Sequence, residues 1–347
     1  GALLGAAGPA RPAAALSGEE RRVASMFKES APSVLGVSPI PPEDGKSLME
    51  RAHSVLGSAL AWDEEHVITS LRVLDAVNDP NPFVTFVERD ANGEESRRSF
   101  RARAIGADPS SRIAVLRVQG APKGFLKPMR LGTSTDLRVG QDVYAIGSPY
   151  GLEKSLSRGV VSGLARRFPT EGGMFLGSMI QVGGAMSSGF TGGPLLDSSG
   201  ELVGVNVAGG PMGRFAGMGL AVPIEMVSQR VGDVLRQGFV SRPWLGALFA
   251  DDALGDQLGV NGAMVLKVVP GGPADAAGLR PMHGGFLGDI VTGIDGVPVS
   301  SKEDLFRLLS ERKPGEDAVM SVRRPAPTRA GPSAGSAELP GTLTSGG

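Results

Sequence analysis

The sequence predicts a mainly β chain with a β-rich body, a smaller α+β unit after it, and flexible ends. Three observations carry this. Glycine (52 residues) and proline (26) are abundant in the 347 residues, which favours many turns over a helical bundle. Short apolar runs recur at spacings near ten residues, as in a sandwich or barrel. Past Gly238 the texture restarts with strands alternating with short helices. Apolar residues make up 41% of the chain, enough for real cores.

The elements follow in order. Residues 1–17 are small, Pro-interrupted and free of acid, and read as a flexible arm or the remnant of a targeting segment. Ser17-Gly18-Glu19-Glu20 opens a helix: Ser17 caps it, the two Glu residues sit in its first turn, and Pro32 ends it. Strand-type runs follow at 33–37, 58–62, 66–71, 83–90, 98–108, 112–118, 142–149, 159–167, 178–182, 201–208 and 217–223. The clearest long helix is "PIEMVSQRVGDVLRQG" (223–238). Pro223 stands at its start and Gly238 at its end, and Ile224, Val227, Val231, Val234 and Leu235 fall on one face. The body therefore spans 18–238 and the α+β unit 239–325. Residues 326–347 are Pro, Ala, Gly, Ser and Thr with almost no apolar side chains, and read as a disordered tail.

Composition excludes several function classes. A net charge of −1 gives no electrostatic reason for nucleic acid or an anionic membrane. No apolar run approaches the roughly 20 residues of a transmembrane helix. With no cysteine, disulfides, thiolate metal sites and a cysteine nucleophile are impossible. No cofactor or metal motif stands out, since GxGxxG-like spacings in so glycine-rich a chain are weak.

The stretch "GFTGGPLLDSSGELVGVNVA" (189–208) has the grammar of a tight glycine turn presenting one hydroxyl, Thr191, ahead of two strands. With "ERRVASMFKESAPSVLGV", "RLGTSTDLRVGQDVYAIGSPYGLEKSLSRGVVSGLARR" and "SRPWLGALFADDALGDQLGVNGAMVLKVVPGGPADAAGL", it gives the chain a long, collinear resemblance to the HtrA/Deg proteases over about residues 18–325. The plastid Deg branch is most similar. The resemblance implies a trypsin-like double β-barrel followed by a PDZ domain.

A protease of that kind needs a hydroxyl nucleophile, an imidazole to take its proton, and a carboxylate to orient the imidazole. The family's His frame, "IVTN-x-H-V", reads "VITSLRV" here, with Arg72 at the His position. The Asp frame, "D-x-x-x-D-I-A-V-L", reads "DPSSRIAVL", with Arg112 at the Asp position. The Ser frame reads "GGAMSSGFTGGPL", with Gly183 for Asp, Phe190 for Asn and Thr191 for Ser. Arg stays protonated and has no acceptor lone pair, so it is no general base. Thr191 keeps a hydroxyl but has no base beside it, and its β-branch restricts its rotamer. Losing triad members costs on the order of 10⁴ to 10⁶ in rate. The expectation is a pseudoprotease with degenerate positions Arg72, Arg112 and Thr191. Ser187 or Ser188 as a displaced nucleophile is the rescue, and it needs a histidine that neither His53, His66 nor His283 supplies by sequence position. The resemblance places the two arginines across a cleft. They are expected either to turn to solvent or to bind a carboxylate from Asp108, Glu64, Glu65 or a partner chain.

In the α+β unit, "RPWLGALF" (242–249) resembles the PDZ carboxylate-binding loop, with Leu245, Gly246 and Ala247 forming the loop. Leu305, Leu308 and Leu309 are candidates either for the apolar groove wall or for the core of the unit. Trp244 is read as a packing anchor or a ligand contact. Three functions stay open: an inactive structural or regulatory subunit that binds protein partners, a serine-type endopeptidase with a rearranged site, and a peptide-binding chaperone. The resemblance implies protein partners and trimer-type oligomers, and a plastid (thylakoid lumen) location, with mitochondrion or bacterial periplasm as alternatives.

Overall fold

The computed structural model describes residues 16–41, 55–89, 95–149, 154–169, 175–184, 186–207, 217–238, 243–310, 312, 315–325, 334–342 and 344–345. His53 and most of the N-terminal arm lie outside them. Helix α1 (Gly18–Ser30) starts as the sequence predicts: the Ser17 hydroxyl accepts from the Glu20 N–H, and the Glu20 carboxylate accepts from the Ser17 N–H. Its Met26 is buried, against Gly200.

Two closed barrels follow. The first comprises β1 (Val34–Ser38), β2 (Gly57–Ala61), β3 (His66–Ser70), β4 (Phe83–Arg89), β5 (Glu95–Asp108) and β6 (Ile113–Val118), in the order β1-β2-β3-β6-β5-β4. Leu35, Val37, Ala59, Val67, Val84 and Leu116 fill it. Phe86, Phe100 and Phe125 meet edge-to-face, with centroids 4.7–5.9 Å apart. The second barrel comprises β7 (Asp142–Gly147), β8 (Ser155–Pro169), β9 (Phe175–Gly183), β10 (Pro194–Leu196), β11 (Leu202–Asn206) and β12 (Met218–Pro223), ordered β10-β11-β12-β9-β8-β7. Val143, Val161, Ile180, Leu195 and Val203 form its core. Closure leaves neither barrel a free edge.

The described residues fall into two compact units. One holds most of both barrels. The other holds everything from Arg230 onward and also takes Gly106–Ser110 and Arg167–Gly177, which include the ends of β5, β8 and β9. The division therefore cuts the long helix α3 (Ile224–Gln237), where the sequence alone puts the boundary after Gly238.

Three local expectations are corrected. The run 66–71 is not strand throughout: β3 stops at Ser70 and Leu71–Val77 form a helix, α2, closed by Asn78 in the left-handed conformation. On α3, Ile224, Val227, Val231 and Val234 are buried as predicted, but Leu235 is 39% exposed. The tail is not structureless: Ala334–Thr342 form a strand.

The second unit contains β13 (Pro243–Trp244), β14 (Ala247–Phe249), α4 (Asp252–Gln257), β15 (Ala263–Val268), α5 (Pro273–Ala276), β16 (Ile290–Ile294), β17 (Val297–Pro298), α6 (Lys302–Ser310), β18 (Asp317–Pro325), β19 (Ala334–Thr342) and β20 (Thr344–Ser345). Its sheet runs β14-β15-β16-β18-β19, so the tail strand β19 covers one edge and β14 ends the other. A buried ion pair ties the unit together. Asp289, 1% exposed, accepts two bonds from Arg324 (2.8 and 2.7 Å) and one from the Arg280 N–H (2.9 Å). The Asp289 bonds hold the Arg324 guanidinium above its ordinary pKa.

Removing one partner of a buried pair strands the other, at about 3–5 kcal/mol when both are fully buried. Arg324 is partly exposed, so Asp289→Ala is expected to lower stability by about 2–3 kcal/mol in urea unfolding, with Arg324→Lys costing less. An unchanged midpoint for Asp289→Ala would remove the pair from the account.

Candidate functional site

The backbone brings the three degenerate positions to one seam between the barrels. Ser70, the last residue of β3, pairs with Ile113 at the start of β6. The Leu71 N–H donates to the Arg112 carbonyl (2.7 Å), so Arg72 and Arg112 rise from abutting backbone. The turn carrying Thr191 docks on β2, with Gly192 also against the end of β3. The Ser58 N–H donates to the Thr191 carbonyl (2.8 Å), and the Ser58 hydroxyl donates to the Gly189 carbonyl (2.7 Å). The Ser148 N–H donates to the Ser58 hydroxyl (2.9 Å), and the Thr69 hydroxyl to the Ser58 carbonyl (2.6 Å).

Two glycines make this docking possible. Gly192 has φ +83°, and a Cβ there would lie 2.1 Å from the Ser58 carbonyl oxygen. A Cβ on Gly189 would lie 2.1 Å from the Pro149 Cα. Ser58 is a functional position the sequence reading missed. Its only local signal is the run of small residues from Gly57 to Ala59, and its partners are far away in sequence.

Thr191 is 4% exposed, and its Oγ1 has no hydrogen-bond partner among the described residues. Its N–H donates to the Ser188 carbonyl (3.0 Å), and the Phe190 N–H donates to the Ser187 carbonyl (3.1 Å), closing a 3-10 turn over Ser188–Phe190. Stabilising a tetrahedral oxyanion needs N–H groups that point free at the developing charge. The Thr191 N–H is engaged inside its own turn.

No base is at hand. Arg72 lies exposed on α2, and Arg112 is half-buried with φ +60°, a left-handed conformation uncommon outside glycine. Neither guanidinium has a hydrogen-bond or ion-pair partner among the described residues. Of the carboxylates considered for them, Glu64 is exposed and pairs with neither, and the other two lie against other groups. Asp108, 1% exposed, lies 3.3 Å from Arg230 Nε, within ion-pair distance but off hydrogen-bond alignment. Glu65 pairs with Arg117 at 2.6 Å. Of the two expectations, exposure to solvent matches Arg72.

His66 is no substitute base. It sits at the opposite end of β3 from Ser70, roughly 13 Å away by strand rise. Its Nδ1 lies 2.8 and 2.9 Å from the two Asp63 oxygens. Burial raises the Asp63 carboxyl, but the N–H groups of Glu65 and His66 and the imidazole outweigh it and hold it below its ordinary pKa. His283 belongs to the second unit, where its backbone bridges to Phe286. Ser187 Oγ is buried without a partner. The described residues contain no cluster of three or more His, Asp or Glu suited to a metal, and no described helix is long and apolar enough to cross a membrane.

In the second unit, the carbonyls of Leu245 and Gly246 accept from the N–H groups of Ala274 (2.7 Å) and Val269 (2.8 Å). Gly246 has φ +73°, and a Cβ there would touch Pro273, Gly272 and the Trp244 indole. Trp244 thus packs over the loop, whose own N–H groups at Leu245 and Gly246 meet no carbonyl among the described residues. Ala247 begins β14, the sheet's terminal strand. Leu305, Leu308 and Leu309 belong to the core with Leu245, Phe249 and Val291, and Leu305 has no exposed surface. All three are buried in that core. On α6 the apolar side chain in solvent is Phe306, edge-on to Phe249.

Comparison with known proteins matches these two parts. A trypsin-like peptidase domain model matches residues 57–205 and a PDZ domain model residues 240–330. "Protease Do-like 1, chloroplastic" of Arabidopsis thaliana is 37% identical over 319 residues, covering 89% of this chain and 70% of that protein. The chain belongs to the HtrA/Deg family. A DegP-like probable periplasmic serine endoprotease of Ectopseudomonas mendocina (strain ymp) is 38% identical over 234 residues, or 66% of this Deg chain and 47% of the bacterial protein. Among solved structures, the HtrA-type protease AlgW with a decapeptide superposes with a TM-score of 0.67 at 24% identity, over 93% of this chain and 98% of that one. That likeness bears on fold alone.

The docked turn gives a stability prediction. Gly192→Ala adds a methyl into the Ser58 carbonyl and forces a side chain into φ +83°, for a cost of about 2–5 kcal/mol. Thermal unfolding measures it; a Gly192→Ala midpoint within a degree of the parent would contradict the packing described.

Proposed function

We propose that this HtrA/Deg chain is a catalytically inactive family member that works by binding. In this reading it is a structural or regulatory subunit of a larger protein assembly, engaging partners through the double-barrel body and the PDZ domain. One observation carries the reading: arginines stand at both positions where the family pattern has the base and its orienting carboxylate, and the hydroxyl at the third position is a buried Thr191. The engaged Thr191 N–H supports the same conclusion. The PDZ loop at Leu245, Gly246 and Ala247 and the end strand β14 suit capture of an extended peptide by strand addition.

The relatives' names favour a second reading, a serine-type endopeptidase of protein quality control with a rearranged site. For location, the chloroplastic relative supports a plastid, with the thylakoid lumen as the finer proposal; the periplasmic relative supports the bacterial alternative.

Incubation with unfolded casein separates the two readings. The inactive reading predicts no turnover above buffer, the same result for Thr191→Ala, and no gain for Thr191→Ser, because neither base nor free N–H is restored. Casein cleavage abolished by Thr191→Ala would establish the endopeptidase instead. Native mass spectrometry of the chain purified from its source is expected to show an oligomer or hetero-complex; a lone monomer at every concentration would oppose the subunit role.

A further inference from the structure

We propose that the seam holding Arg72 and Arg112 is an anion site that takes the carboxylate side chains of an acidic segment of a partner protein. This rests on the inactive reading of the cleft. The Leu71-to-Arg112 backbone bond (2.7 Å) sets two permanent cations on abutting backbone. Like charges so placed repel, and the arrangement becomes favourable only with an anion between or beside them.

The chain supplies no such anion among the described residues. Asp75, one turn along α2 from Arg72, makes no ion pair with it. Three other acids of the first barrel are engaged elsewhere: Asp63 with His66, Glu65 with Arg117 and Asp79 with Arg101. Asp108 lies against Arg230.

A second, independent observation falls at the same seam. Ser70 Oγ and Thr191 Oγ1 are buried hydroxyls without a hydrogen-bond partner among the described residues. A Cβ on Gly192, the residue after Thr191, would lie 3.0 Å from the Ser70 N, so the backbone just past Thr191 packs on the end of β3. A buried hydroxyl without a partner is rare in a native fold, and an ordered water or ion is one of its explanations. The two guanidiniums are donors only, and neither has a carboxylate partner among the described residues, which favours an oxyanion. The planar guanidinium fork matches a carboxylate two bonds at a time. Phosphate shares this chemistry, so the test carries an arm for each.

The probe is a hexapeptide of alternating Asp and Glu, acetylated and C-terminally amidated so that the PDZ loop has no terminal carboxylate to hold. Isothermal titration at low salt against the full chain is expected to show binding that weakens as salt rises. The Asn/Gln analogue should not bind. Arg72→Gln/Arg112→Gln should weaken the acidic peptide about tenfold or more, and Arg72→Gln alone, a change on an exposed helix surface, should weaken it less. Arg98→Gln, an exposed arginine stacked on Phe125 elsewhere on the barrel, should leave it unchanged. Equal binding by the double variant, or by Arg72→Gln should the double variant not fold, would overturn the site. So would no binding, or binding of inorganic phosphate that excludes the peptide at equal concentration. Mass analysis of the recovered peptide keeps the two ideas apart. A cleaved peptide sinks the inactive reading, whereas an intact but unbound one sinks only the site.

Discussion

Ser58 is the point on which the barrel body depends. Its N–H and hydroxyl hold the Thr191 and Gly189 carbonyls, its hydroxyl accepts from Ser148, and its carbonyl accepts from Thr69. One buried serine of the first barrel thus fixes the glycine turn and β7's end in the second. The turn has no freedom to rise, because Gly192 and Gly189 pack within van der Waals limits of Ser58 and Pro149. These contacts require glycine geometry whatever the chemistry at position 191.

The chemistry follows from that rigidity. With the Thr191 N–H donated inside its turn and the Thr191 hydroxyl buried, neither the nucleophile nor the oxyanion donor is poised. Arg72 and Arg112 remove the proton acceptor and reverse the charge where a base and its carboxylate belong. In the inactive reading proposed above, the three positions act together, since a nucleophile without a base and a base without an orienter each contribute little alone. The seam carries two guanidiniums without partners among the described residues, on a body joined in sequence to a domain whose end strand suits peptide addition.

Much of this was legible in the sequence where the signal is local. Ser17 and Glu20 announce α1 because both halves of the capping box lie within four residues. Pro223 and Gly238 bracket α3, although its exposed Leu235 shows that helical periodicity alone does not settle the width of a buried face. The helix α2 was hidden because "HVITSLRVL" is apolar and β-branched through its first half, and Ser70 forms no side-chain cap. The strand β19 was hidden because "AGSAELPGT" has few apolar side chains; backbone pairing to β18 defines it, with Pro340 opposite Val319. At the site, Arg72, Arg112 and Thr191 could each be read from short frames. The Ser58 clamp and the engaged Thr191 N–H could not, since the first depends on contacts across more than a hundred residues. The burial of Leu305 and Leu309 was likewise a matter of tertiary packing that their helical spacing left open.

The central claim is that the hydroxyl at position 191 has no activating partner. Labelling with a fluorophosphonate, followed by intact mass and peptide mapping, tests it most directly, because such a probe reports an activated hydroxyl without needing the right substrate. The account predicts an unmodified chain after prolonged exposure, with an active HtrA-type protease labelled in the same tube. A stoichiometric adduct on Thr191, Ser187 or Ser188 would contradict it.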